Sequence, residues 1–388
     1  MEATPDGGVC GPAYTAFGLR ATANAPHGKI WVGHDIRRAV FGPHFTPPPR
    51  AGRWARDRVA GRVAVPLRPA RATPVPPPPP PSPAPPDDEP IRAELFGIER
   101  LEQHAESLAA AQTVLARPSR GRALLPRVQD NGRVLRAGYR AIAEVIREER
   151  ANTPAAEWLA DNFHIVDEQL REIREDLPPS FYHELPKLAD GPLDGFPRVY
   201  GIAWAFVAHT DSRFDPDMLR AFVRAYQRVQ PLTIGELWAV AITLRVVLVE
   251  NLRRLTEGII RARAARLAAD ALADDLLGLD GRSPERGAST LRAYESGPLV
   301  TAFAVQLVQR LRDSDPGVTP ALLWLDERLA AQGTTPDDIV RVEHQRQAAM
   351  NVTVRNVILS MSLMSALDWS AFFETVSLVD DVLRATPG

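Results

Sequence analysis

The sequence predicts an all-α fold, a multi-helix orthogonal bundle around a long central helix, preceded by a disordered Pro-rich N-terminal segment. Three observations carry this. From Ile91 onward, apolar residues recur at three- and four-residue steps, as in Ile91, Leu95, Ile98, Leu101 and Leu108 and again in Val134, Leu135, Tyr139, Ile142 and Ile146. Four helix starts are written in local chemistry. Thr153-Pro154, Thr319-Pro320 and Thr335-Pro336 place a capping hydroxyl before a proline whose missing N–H costs nothing in the first turn, and Thr233 to Glu236 is a capping box. No segment alternates apolar and polar residues with the period of a strand.

Residues 1–40 have no sustained period and stay unassigned, with disorder expected. Residues 41–90 read as a Pro/Arg-rich linker, because 17 of the 36 prolines fall there, including the run Pro76 to Pro81. Such composition favours extended polyproline II and buries too little apolar area to offset ordering the chain. Arg50, Arg53, Arg56, Arg58, Arg62, Arg68 and Arg71 stripe it with positive charge, which fits an RNA or phospholipid contact and fits a solvated linker at least as well. Residues 91–388 form the helical domain, with helices expected near 91–116, 130–150, 154–176, 198–210, 216–229, 234–272, 299–313, 320–332, 336–366 and 369–384. Between the sixth and seventh of these, Gly278 to Gly287 reads as a loop.

The helix after Thr233 is apolar on nearly every face as far as Val249, so other helices must surround it. Arg245 lies on the same stripe as Trp238, Ile242 and Val249, and a buried guanidinium requires an anion. Its carboxylate partner is expected from Asn162 to Glu168 or from His209 to Asp215. The resulting inter-helix polar cluster comprises Asn162, His164, Glu168, His209, Asp211 and Arg245.

The chain has 388 residues, 45% hydrophobic and 24% charged, with a formal net charge of -2. That balance gives no global field for nucleic acid, and none is expected as a partner. Cys10 is the sole cysteine, which excludes an internal disulfide framework and Cys-rich metal sites. The basic residues are 44 arginines and only Lys29 and Lys187. Neither a signal peptide nor a transmembrane segment is expected, since Arg245 splits the longest apolar stretch.

Candidate chemistry is sparse. His164 and Glu168, one helical turn apart, suit a shared metal or an acid/base couple, yet no third ligand accompanies them. Asp215-Pro216-Asp217 has the Asp-x-Asp form that holds a divalent ion in glycosyltransferases. Pro216 and the following Met218, Leu219, Phe222 and Val223 pattern instead make Asp215 a helix cap. Phosphate-binding glycine loops and a nucleophile elbow are absent from the sequence. No catalytic residue, metal ligand or cofactor site is therefore assigned. Glu168 with Asp211 is the pair that an independent helical-barrel carbohydrate-active enzyme would use, and a helical interaction scaffold is the remaining alternative.

Six stretches carry a resemblance: EPIRAELFGIERLEQHAESLA (Glu89 to Ala109), NFHIVDEQLREIREDLP (Asn162 to Pro178), FYHELPKLADGPL (Phe181 to Leu193), PRVYGIAWAFVAHTDSRFD (Pro197 to Asp215), RAYQRVQPLTIGELWAVAITLRVVLVENLRRL (Arg224 to Leu255) and LMSALDWSAFFETVSLVDDVLR (Leu363 to Arg384). Together they resemble the N-terminal region of bacterial cyclic β-1,2-glucan synthases over roughly three-quarters of the chain. The resemblance implies a cytoplasmic helical module at the inner-membrane face. Its partners would be the transferase and membrane portions of a full synthase, and the chain is expected to be truncated before the catalytic domains. UDP-glucose and a divalent metal are implied only for the full-length family. Asp215 and Asp217 do not correspond to the family's metal motif, so no catalytic residue is carried over.

Overall fold

Residues 88–115, 121–148, 152–281, 284–295, 297–312 and 319–385 are described by the structure, a computed structural model. The expected disordered segment at 1–40 and all but the last three residues of the linker at 41–90 lie outside them. The described residues form an all-α bundle with no β-strand, only isolated bridges pairing Val114 with Leu188 and Lys187 with Pro197.

In chain order the helices are α1 (Ile98–Ala111), α2 (Leu124–Arg147), α3 (Pro154–Asp161), α4 (Phe163–Asp176), α5 (Pro179–Glu184), α6 (Arg198–His209), α7 (Pro216–Val229), α8 (Ile234–Leu276), α9 (Pro284–Leu291), α10 (Thr301–Arg312), α11 (Thr319–Ala331), α12 (Pro336–Ala366), α13 (Trp369–Val376) and α14 (Leu378–Ala385). The predicted caps are in place. Thr153 accepts from Ala156 N, Asp215 from Asp217 N and Met218 N, and Thr335 from Asp338 N, while Thr233 and Glu236 close their box reciprocally.

With 43 residues, α8 is about 64 Å long and forms the spine. Its N-terminal half, buried from Ala239 through Leu252, packs against α2, α3, α4, α6, α12 and α13, while α1 pairs with α7 and touches α6. Its C-terminal half narrows to Ala262, Ala265, Ala269 and Ala273. These small side chains let α10 lie close, and Phe303, Leu307, Leu311, Leu325 and Leu329 from α10 and α11 fill a second core.

Where elements differ from expectation, tertiary bonds explain the difference. Residues 91–97, read as the start of a helix, are an extended strap. Ile91 N donates to Asn251 Oδ1 (2.7 Å), Ala93 N to Ala208 O (2.9 Å) and Phe96 N to His209 O (3.1 Å), so the backbone is held by neighbours rather than by a helix of its own. α2 begins six residues earlier than predicted. The helix expected over 154–176 breaks at Asn162, whose side-chain amide donates to Trp158 O (2.8 Å), and the one over 369–384 breaks at Ser377. α5 is a helix the periodicity did not predict, and α9 starts inside the expected loop.

The loop after α5 is fixed by Lys187, 1% exposed, whose ammonium donates to Tyr182 O (2.6 Å) and Leu185 O and lies over the Tyr182 ring. Gly121 packs against it at φ +55°. A Cβ there would meet Gly195 O, so only glycine fits. No single helix among the described residues is long and apolar enough to cross a membrane. α12 and α13 pass that test only as a pair, bent by 91°.

Candidate functional site

A polar seam runs along the middle of α8. Glu250, 1% exposed, accepts from Arg127 (2.7 and 2.9 Å), Asn131 (2.7 Å) and Arg254 (3.0 Å). Burial by itself would raise its pKa. The hydrogen bond and charge of Arg127, then Asn131 and Arg254, overcome that and hold it at about 2. Next to it, Asn251 grips the strap at Ile91 and donates to Ser212 Oγ (2.8 Å).

Ser212 and Asp211 follow the end of α6 with φ of 62° and 50°, a left-handed pair that side chains rarely adopt. Their surroundings dictate it. Asn356 donates to Asp211 O, Ser360 Oγ to Ser212 O (2.7 Å), and Phe214 N to Ser360 Oγ (2.8 Å). The Asp211 carboxylate accepts from Arg92 (3.0 and 3.2 Å), Thr353 Oγ1 (2.7 Å) and Asn356 Nδ2 (3.2 Å), and Arg92 also reaches Thr353. Strap, α6 turn, α8 and α12 are thus clamped by one connected set of bonds.

Beside the seam lies a cleft of about 380 Å³ between the strap, α8, α12 and the start of α10. Arg92, Arg254, Arg261 and Arg346 line it over an apolar floor that includes Leu255 and Met350. Asp88, three residues before the strap, reaches into it, 3.7 Å from Arg261 and paired to Arg253 at 3.1 Å. A chamber of about 30 Å³ adjoins, sharing Arg346 and Met350, and Arg266 lines it. No group of three or more His, Cys, Asp or Glu suited to a metal ion occurs among the described residues.

The six residues of the expected cluster fall in separate places. Arg245 is 8% exposed, and its Nε contacts Gln169 Oε1 (3.0 Å) and Glu172 (3.1 Å) on α4, with the Trp369 ring 6.0 Å away. Its carboxylate therefore comes from Glu172, one turn beyond the segment expected, because that turn carries α4's inward face past Glu168. Burial pulls the Arg245 pKa down although Glu172 and Asp176 oppose it. Burial likewise pushes Glu172 up against the charge of Arg245.

His164 and Glu168 are exposed on α4, and Asn162 caps the break before it. His209 sits in an aromatic stack, 4.0 Å from Phe96 and 4.4 Å from His104, with Nδ1 2.7 Å from Glu94 O. Burial, then the neighbouring His209, lowers the pKa of His104. Asp211 belongs to the strap clamp, and no bond joins it to Glu168. Arg92, Thr353 and Asn356 were missed because their partners are 119 to 145 residues away. Glu250 and Arg254 were missed as well, although their i,i+4 spacing is a signal that could have found them. Glu236 hides a second task behind its cap, a pair with the buried Arg198 at 2.6 and 2.8 Å.

No family model matches the chain. Among curated proteins it is similar to the cyclic beta-(1,2)-glucan synthase NdvB of Rhizobium meliloti (strain 1021), 35% identical over 307 residues and 76% of this chain. The chain is a homologue of part of that synthase. It spans about a tenth of the synthase's length. The strap, the α6 turn and the seam on α8 all lie in stretches whose resemblance to cyclic glucan synthases was legible in the sequence.

Proposed function

We propose that this chain is a helical module of a cyclic β-1,2-glucan synthase, corresponding to the N-terminal region, that performs no chemistry itself and serves structure or regulation. The 35% identity over 307 residues is the observation that carries the reading. The bonding supports it, since the acidic groups placed to do chemistry, Asp211, Glu236 and Glu250, are each held by arginines from other segments. Asp215, half of one Asp-x-Asp motif, is occupied as a helix cap. The partners are the transferase and membrane portions of the synthase, and the place is the cytoplasmic face of the inner membrane. UDP-glucose and a divalent ion belong to that larger assembly.

The test is co-expression of this chain with those portions. The expected result is co-purification, together with no protein-bound glucan when the chain alone meets UDP-glucose and Mg²⁺. Failure to co-purify would overturn the module reading. Transfer by the chain alone that vanishes in Asp215→Asn would restore the metal motif.

A further inference from the structure

We propose that the cleft between the strap, α8, α12 and the start of α10 is a binding site for a small phosphate-type oxyanion, one that competes there with the carboxylate of Asp88. The inference stands apart from the glucan reading, because it rests only on donors and their geometry.

A guanidinium carries five N–H donors on three nitrogens, and in this cleft many remain unmet. Arg346 uses Nε and Nη2 on Glu343, which leaves Nη1. Arg254 uses Nε on Glu250 and Nη1 on Glu89 O, which leaves Nη2. Arg92 uses Nε and Nη2 on the α6 turn and α12, which leaves Nη1. Arg261 makes no hydrogen bond, its one ionic contact being Asp88 at 3.7 Å. Four cations with unspent donors thus face one space of about 380 Å³, enough for a phosphate with part of the molecule that bears it.

The neighbouring chamber adds an independent observation. Arg266 Nη1 is fully buried there without a hydrogen bond, the nearest carboxylate oxygen being that of Glu343 at 3.9 Å. Burial lowers the Arg266 pKa; Glu343 opposes this, and the charges of Arg346 and Arg263 lower it further. One buried donor here is therefore unmet by the fold, although Glu89 also lines the cleft beside Asp88. Asp88 supplies part of the missing charge on the side of Arg253 and Arg261, standing where an anionic ligand would stand.

The experiment is calorimetric titration of the full 388-residue chain with inorganic phosphate, pyrophosphate and a nucleoside diphosphate, at constant ionic strength set with chloride. Saturable binding is expected for at least one probe. It should weaken at least tenfold in the double variant Arg261→Gln/Arg346→Gln and tighten several-fold in Asp88→Asn. Arg261 is partly exposed and makes no hydrogen bond, so Arg261→Gln alone should weaken binding with circular dichroism and melting unchanged, whereas Arg346→Gln also loosens the buried Glu343 and lowers the melting temperature. A nucleoside diphosphate that binds better than pyrophosphate assigns the cleft to a nucleotide, and equal affinities assign it to the free anion. Absence of saturable binding by all three probes, or affinity untouched by the double variant, would overturn the proposal.

Discussion

The two halves of α8 build cores of opposite kinds. Around the N-terminal half, each buried carboxylate is held by several donors: Glu250 by Arg127, Asn131 and Arg254, and Glu236 by Arg198 and its own cap. Around the C-terminal half, alanines face Phe303, Leu307 and Leu325, and ion pairs such as Arg310 with Asp274 lie at the edge, with Glu343 and Asp275 as buried exceptions. Apolar packing is forgiving about which contact forms, whereas a buried carboxylate is satisfied in one arrangement only. The first region needs that selectivity, since it must place a strap and a left-handed turn that have little local preference for their conformations.

The comparison breaks most readily at Glu250. Glu250→Ala strands Arg254 and Asn131 in the interior and should cost about 3–5 kcal/mol in denaturant melts. Hydrogen exchange should then rise along α2, α6 and the strap while α10 and α11 stay protected. The same carboxylate gives the first region an acid limit. Its folded pKa of about 2 lies below its unfolded value, so its contribution is complete above that value and fades as pH falls from about 4.5 to 2. Exchange measured at pH 3 should open the first region before the second.

Next in size, Leu307→Ala empties a fully buried position in the second region and should cost about 2–4 kcal/mol. Loosening confined to α9–α11 and the end of α8 would sharpen the contrast, and equal loosening of the strap would remove it.

The smallest effect belongs to Arg245→Met. Burial outweighs pairing for both Arg245 and Glu172, so an apolar chain of similar length should shift stability by no more than about 1 kcal/mol in a thermal melt. A larger loss would mean that this pair behaves like the Glu250 cluster.

The bundle was legible because its signals are local. Thr153, Asp215, Thr233 and Thr335 cap within three residues, and 3.6-residue periodicity marks the buried faces of α2, α7 and α8. That Arg245 would lie buried followed from the apolar run around it. Its exact partner did not, because a helix offers two adjacent turns, and which one faces inward depends on the break at Asn162. The strap shows the limit most clearly. Ile91 and Leu95 sit at helical spacing, yet Ile91 is buried and Leu95 exposed, since Asn251 and Ala208 capture the backbone first. The cleft was out of reach for the same reason: its arginines come from Arg92, Arg254 and Arg346, segments far apart in the chain.

Lys187 has a practical consequence. It is the one lysine among the described residues, and its amine is sealed between two carbonyls and a tyrosine ring, with burial drawing its pKa down to about 8 against the charge of Glu236. Among the described residues every exposed cation other than a protonated histidine is therefore a guanidinium, whose charge persists at any pH the fold survives. Amine-directed cross-linkers and acetylating agents will pass over it without leaving a mark, so mapping its neighbours calls for reagents that couple to carboxylates or to arginine.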